Sequence, residues 1–100
     1  MLENLIKIIR ERKKSNINKS YTNQLLSGGL EKCINKMQEE FDELKDALKN
    51  DRTNAVHEAA DVIYHLLVSL EAAEIKFEDV LKELERRKKQ SGIVEKNTRS

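Results

Sequence analysis

The sequence predicts an all-α protein, a helical bundle built on a long antiparallel helix hairpin. Three observations lead there. Apolar residues recur at three- and four-residue steps over two long stretches, one from Leu30 to about Asn50 and one from after Thr53 to about Glu74. Among the 100 residues there is no proline and only 3 glycines, so little interrupts a helix. The charged fraction is 37%, well above the usual quarter, which supplies polar outer faces for amphipathic helices.

The elements follow in order. Leu2, Leu5, Ile6, Ile8 and Ile9 recur near helical spacing and lead into the basic run from Arg10 to Lys14, which complements a helix carboxyl end. A first helix is expected over about 2–13. Ser15-Asn16-Ile17-Asn18-Lys19 reads as a loop, and Ser20 can cap a short turn carrying Tyr21, Leu25 and Leu26 before Gly28-Gly29 ends it. Leu30, Cys33, Ile34, Met37, Phe41, Leu44 and Leu48 then share one face of the first long helix. Asn50-Asp51-Arg52-Thr53 breaks that pattern, and Val56, Ala59, Ala60, Ile63, Leu66, Leu67 and Leu70 are expected to face inward from the second. Ile75-Lys76-Phe77 is read as a turn before a last helix carrying Val80, Leu81 and Leu84 and ending in Arg86-Arg87-Lys88-Lys89. An irregular tail is expected from Gln90.

One domain fits this length, and apolar faces so wide on so short a chain invite dimerisation. Nineteen Lys plus Arg against 18 Asp plus Glu leave no broad positive field, so nonspecific nucleic-acid binding is not expected and phosphate recognition must be local. Cys33 is the single cysteine, and its place in an apolar stripe reads as a buried thiol in an intracellular protein. No apolar run approaches the roughly 20 residues of a membrane span, and the amino end lacks a signal-peptide layout. A cytoplasmic location without membrane association is expected.

Chemistry concentrates beside the apolar seam. Lys32, Lys36, Glu39, Glu40 and Glu43 fall in one strip of the first long helix, and Glu58, Asp61 and His65 flank the apolar face of the second. The strip stacks like charges at Glu39/Glu43, Glu40/Glu43 and Asp42/Asp46, each pair costing a few tenths of a kcal/mol. A divalent cation would turn that repulsion into coordination, and hard oxygen ligands suit magnesium, which takes further ligands from substrate phosphates. Lys32 and Lys36 could then meet phosphate oxygens. The plain alternative is a solvated face braced by Lys36 with Glu40, Asp42 with Lys45 and Asp46 with Lys49. His57 reads as solvent-facing and His65 as a packed structural residue. Arg86 and its basic neighbours form a favourable helix end that could also hold a terminal phosphate.

A resemblance sharpens these readings. Ser20-Tyr21-Thr22 with Leu25-Leu26, Gly29, Lys32, Lys36, Glu39-Glu40-x-x-Glu43 and Glu58-Ala59-Ala60-Asp61-Val62-Ile63-Tyr64-His65-Leu66-Leu67 together resemble the phosphoribosyl-ATP pyrophosphatase family of histidine biosynthesis. The match continues through Phe77-Glu78-Asp79-Val80-Leu81, Glu83-Leu84-Glu85-Arg86-Arg87 and the tail Gln90-Ser91-Gly92-Ile93 with Glu95-Lys96 and Arg99. The bare pattern of Glu40, Glu43, Glu58 and Asp61 is shared more widely, with MazG-like and dimeric dUTPase-like all-alpha pyrophosphohydrolases. The resemblance implies hydrolysis of phosphoribosyl-ATP to phosphoribosyl-AMP and pyrophosphate with magnesium, by a stand-alone homodimer. It implies Glu40, Glu43, Glu58 and Asp61 as metal ligands, with Glu39 as an extra ligand or water-activating carboxylate. Lys32 and Lys36 would contact substrate phosphates, with Ser20, Tyr21 and Arg86 as further substrate-binding positions. Two positions depart from the pattern: Gln38 stands where a glycine often precedes the paired glutamates, and Lys76 where a serine often caps the last helix.

Overall fold

The computed structural model describes residues 1–14 and 20–88. The loop expected at 15–19, together with Lys89 and the tail from Gln90, including Glu95, Lys96 and Arg99, lies outside the described residues. Within them the chain is all-helical: α1 (Leu2–Lys13), α2 (Tyr21–Ser27), α3 (Leu30–Asn50), α4 (Ala55–Ala72) and α5 (Phe77–Arg87). No helix among the described residues is long and apolar enough to cross a membrane.

Each junction is held by an identifiable contact. Glu3 in the first turn of α1 and Arg10, Arg12 and Lys13 in its last match the helix dipole. The carbonyls freed at its end accept from the buried Asn23, whose Nδ2 donates to Arg12 O at 2.6 Å and Lys13 O at 3.2 Å. Ser20 caps α2 as expected, its Oγ accepting from Asn23 N–H at 3.2 Å. Gly29 opens α3 at φ +90°, a conformation that disfavours a side chain.

Helices α3 and α4 run antiparallel, because residues rising along one meet residues falling along the other. Ser69 Oγ donates to Cys33 O at 3.2 Å, His65 lies 3.9 Å from Glu40, and Glu58 clusters with Glu43. The buried core of Ile6, Ile9, Leu25, Cys33, Leu67 and Val68 sits where α1 and α2 cover one end of this pair. At the far end small residues, Ala47 and Ala55, are the buried ones. Cys33 is fully packed, its Sγ donating to Leu25 O at 3.3 Å, and burial pushes the thiol pKa up.

Helix α4 ends at Ala72, two residues before the expected end at about Glu74. Glu74 takes φ 59°, and Ile75 N–H bonds to Leu70 O at 2.9 Å, the geometry of a Schellman stop with glutamate in glycine's usual place. Two expectations need correction. Phe77 belongs to α5 and not to the turn, because its ring packs on the core while Glu78 and Asp79 favour the amino end that follows. The seam is also less covered than its periodicity suggests. Leu30, Ile34, Phe41, Leu48, Val56, Ile63 and Leu66 all stand exposed in the single chain, Val56 at 79%, and Ala60 is exposed as well. The apolar arc is wider than one neighbouring helix can cover, and α1 with α2 reach only one end of it.

Candidate active site

The wall between α3 and α4 is built from side chains one and two turns apart. Ligand oxygens of Glu40, Glu43 and Glu58 all lie within 4.8 Å of one another, and a second set, His57, Glu58 and Asp61, meets the same limit. Glu58 belongs to both. It is 9% exposed, and its Oε2 is buried without a hydrogen-bond partner, as is Glu40 Oε2. Two desolvated, unpartnered carboxylate oxygens are costly unless something positive joins them. The residues therefore fit a cation, and the all-oxygen set of Glu40, Glu43 and Glu58 fits a hard one such as magnesium. Asp42, Glu43, Asp46, Asp51, Asn54 and Glu58 line an adjoining cleft of about 340 Å³.

The braces of the solvated-face alternative do not form as that reading required. Lys36 Nζ pairs with Glu39 at 3.1 Å and not with Glu40. Asp42 and Asp46 accept from Gln38 at 3.3 Å and Asn50 at 2.8 Å, in place of Lys45 and Lys49.

The remaining positions divide. Glu39 is exposed and lies outside both carboxylate sets, held by Lys36, whose pKa it raises through their hydrogen bond. Lys32 lies with its stem against Gly28, where an added Cβ would meet Lys32 Cδ at 2.2 Å. Ser20 is engaged in capping. Tyr21 overhangs the acidic side: burial pushes its hydroxyl pKa up, Lys36 pulls it down, and Glu40 and Glu39 also act on it. Asp61 is paired with the exposed His57 at 3.2 Å. Arg86 is not brought to the cluster; it donates to Glu83 at 2.6 and 3.0 Å on α5, which leaves from the opposite end of α4.

His65 is packed, as expected, and lies at the edge of the cluster. It is 4% exposed, it meets the edges of Tyr21 and Tyr64, and its Nδ1 has no partner. Burial pushes its pKa down, which keeps the ring neutral near pH 7, with Asp61 opposing. Asn54, which drew no notice in the sequence, donates from Nδ2 to Glu58 Oε1 at 3.1 Å. Its place four residues before Glu58 was the one available signal. Thr22 Oγ1 and Tyr64 OH also share a hydrogen bond that ties α2 to α4.

Fold and site together define a class: an all-α helix-hairpin protein whose facing helices gather carboxylates able to hold a hard cation. The sequence profile of one such family, phosphoribosyl-ATP pyrophosphohydrolase, matches residues 2–88, and the chain belongs to that family. It is 50% identical over 99 residues to the phosphoribosyl-ATP pyrophosphatase of Roseobacter denitrificans, covering 98% of this chain and 94% of that protein. It is 46% identical over 99 residues to those of Rhizobium etli and Rhodobacter capsulatus, covering 98% of this chain and 92% and 96% of theirs.

Proposed function

We propose that this protein hydrolyses phosphoribosyl-ATP between its α and β phosphates, releasing phosphoribosyl-AMP and pyrophosphate, as a magnesium-dependent cytoplasmic enzyme of histidine biosynthesis. Family membership supports the reaction. The observation that carries the site is the pair of buried, unpartnered oxygens, Glu40 Oε2 and Glu58 Oε2.

In this reading Glu40, Glu43, Glu58 and Asp61 hold the magnesium. When bound, magnesium supplies polarisation of a phosphoryl oxygen and a water of lowered pKa. The chain's own groups do the rest. Glu39, exposed at the edge of the cluster, accepts the proton of the attacking water. Lys36 exchanges Glu39 for a phosphate oxygen, and Lys32, one turn earlier, meets the next phosphate as a point charge. Tyr21 and Ser20 form the α2 side of the substrate pocket. Arg86, held by Glu83, contributes least.

The working form in this proposal is a homodimer. Phe41, Leu48, Val56 and Ile63 stand exposed on the hairpin, and Ile34, Met37, Phe41, Val62 and Leu66 line an apolar groove of about 270 Å³. An uncovered apolar surface of that kind supports association. Sedimentation of the wild type against Phe41→Glu tests it, and a monomeric wild type sinks it.

Pyrophosphate release decides the substrate. Release from phosphoribosyl-ATP should exceed release from a panel of nucleoside triphosphates and should stop when a chelator removes magnesium. Preference for the panel would overturn the substrate, and activity that survives chelation would overturn the metal.

A further inference from the structure

We infer that Asn54 and His65 are positioning residues, each facing one oxygen of a carboxylate whose other oxygen is buried, so that this second oxygen is presented to the cation. The inference rests on the metal reading of the site and extends it to residues that are not ligands.

Glu58 shows the arrangement directly. Its Oε1 accepts from Asn54 Nδ2 at 3.1 Å, while its Oε2 is buried and unpartnered. Asn54 precedes α4 with helical backbone angles, φ −83° and ψ −10°, so its side chain does not cap the helix and is free to reach Glu58, one turn on.

Glu40 repeats the pattern from the opposite helix. Its Oε1 faces His65 Nε2 at 3.9 Å, and its Oε2 is buried without a partner. Tyr21 and Tyr64 meet the ring edge-on at 6.1 and 5.1 Å between centroids, which favours this orientation. Nε2 is the ring nitrogen turned to the carboxylate, so an N–H there can donate to Glu40 Oε1. Contacts of this length commonly tighten when the ligand arrives. One side-chain nitrogen thus faces one oxygen of each carboxylate, and fixing that oxygen fixes the direction in which the other is presented.

The test is direct magnesium binding by calorimetry, on wild type, Asn54→Ala, Asn54→Asp and His65→Phe, with activity followed against magnesium concentration. Asn54→Ala and His65→Phe should each weaken binding about 10-fold or more. Activity should return at saturating magnesium, which a general structural defect would not allow. Asn54→Asp keeps the shape and loses the donor, and should bind no better than Asn54→Ala. If His65→Phe fails to fold, the exposed Asn54 variants decide the matter. Variants that bind as tightly as a binding-competent wild type overturn the inference and leave the metal reading intact, as does activity that saturating magnesium fails to recover. A wild type that binds no magnesium overturns both.

Discussion

Two charged regions of this small protein behave in opposite ways. Where α1, α4 and α5 meet, Arg10, Lys13, Glu71, Glu74, Glu78 and Lys82 line a cleft of about 640 Å³. Four of its charges pair with one another: Glu71 lies 3.5 Å from Arg10 and 3.6 Å from Lys13, and Glu78 lies 2.9 Å from Arg10. The cleft beside the carboxylates of α3 and α4 is about half that volume, at about 340 Å³, yet it adjoins buried oxygens with no partner. Cavity size is therefore a poor guide in this molecule. In the proposed reading, unsatisfied buried charge marks the region that takes a ligand, and ion pairing marks the region that ties the helices together.

The comparison breaks first at Glu58. Glu58→Gln should lower pyrophosphate release by about 100-fold or more, beyond the loss expected of a group that merely supports a ligand. Its unfolding midpoint without metal should stay level or rise, because a repelling charge is gone. A matching loss of stability would show that the carboxylates serve the fold.

Magnesium itself gives the next effect. At about 100 times its dissociation constant it should stabilise the wild type by about 2.7 kcal/mol in thermal unfolding, with little change in Glu58→Gln. Equal stabilisation of both proteins would move the cation to another site.

The paired region should respond to backbone relief and not to metal. Glu74→Gly removes a side chain from a left-handed residue and should add about 1 kcal/mol of stability, with turnover unchanged. A loss of stability would show that the Glu74 side chain matters to the cleft.

The smallest expected effect is electrostatic. Arg10, through its hydrogen bond, holds the Glu78 carboxyl below its ordinary pKa, so that pair contributes above the unfolded carboxyl value and is lost as pH falls through the lowered folded one. Arg10→Met should therefore lower the unfolding midpoint slightly at neutral pH and flatten its decline in acid. Glu83 extends the window, since Arg86 and then Arg87 push it down from 4.5 to about 2. A decline in Arg10→Met as steep as in wild type would remove Glu78 from the account. These pairs are exposed, and their effect should shrink as salt is added.

Much of this was legible in advance. The boundaries of α1 and α3, the cap at Ser20 and the buried Cys33 follow from spacing and end chemistry, because helix signals act over three or four residues. The left-handed turn at Glu74 was not legible, although the helix end near it was, since a glutamate in that place carries no glycine signal. The exposed seam was misread for a different reason. Periodicity reports that Val56, Ile63 and Phe41 are apolar on one side of their helices, but not whether this chain has anything to put against them.

The same division runs through the site. The sequence by itself determined which carboxylates exist, that Glu40 and Glu43 share a helix face, and that Glu58 and Asp61 share another, because these are facts of helical pitch. It also determined the family, through motifs carried along most of the chain. Only the tertiary structure decided that one oxygen each of Glu40 and Glu58 is buried while Glu39 stays exposed, that Lys36 turns to Glu39, and that Asn54 and His65 face Glu58 and Glu40. Burial and pairing depend on which faces of two distant helices meet, and a pattern along one chain segment does not contain that distance.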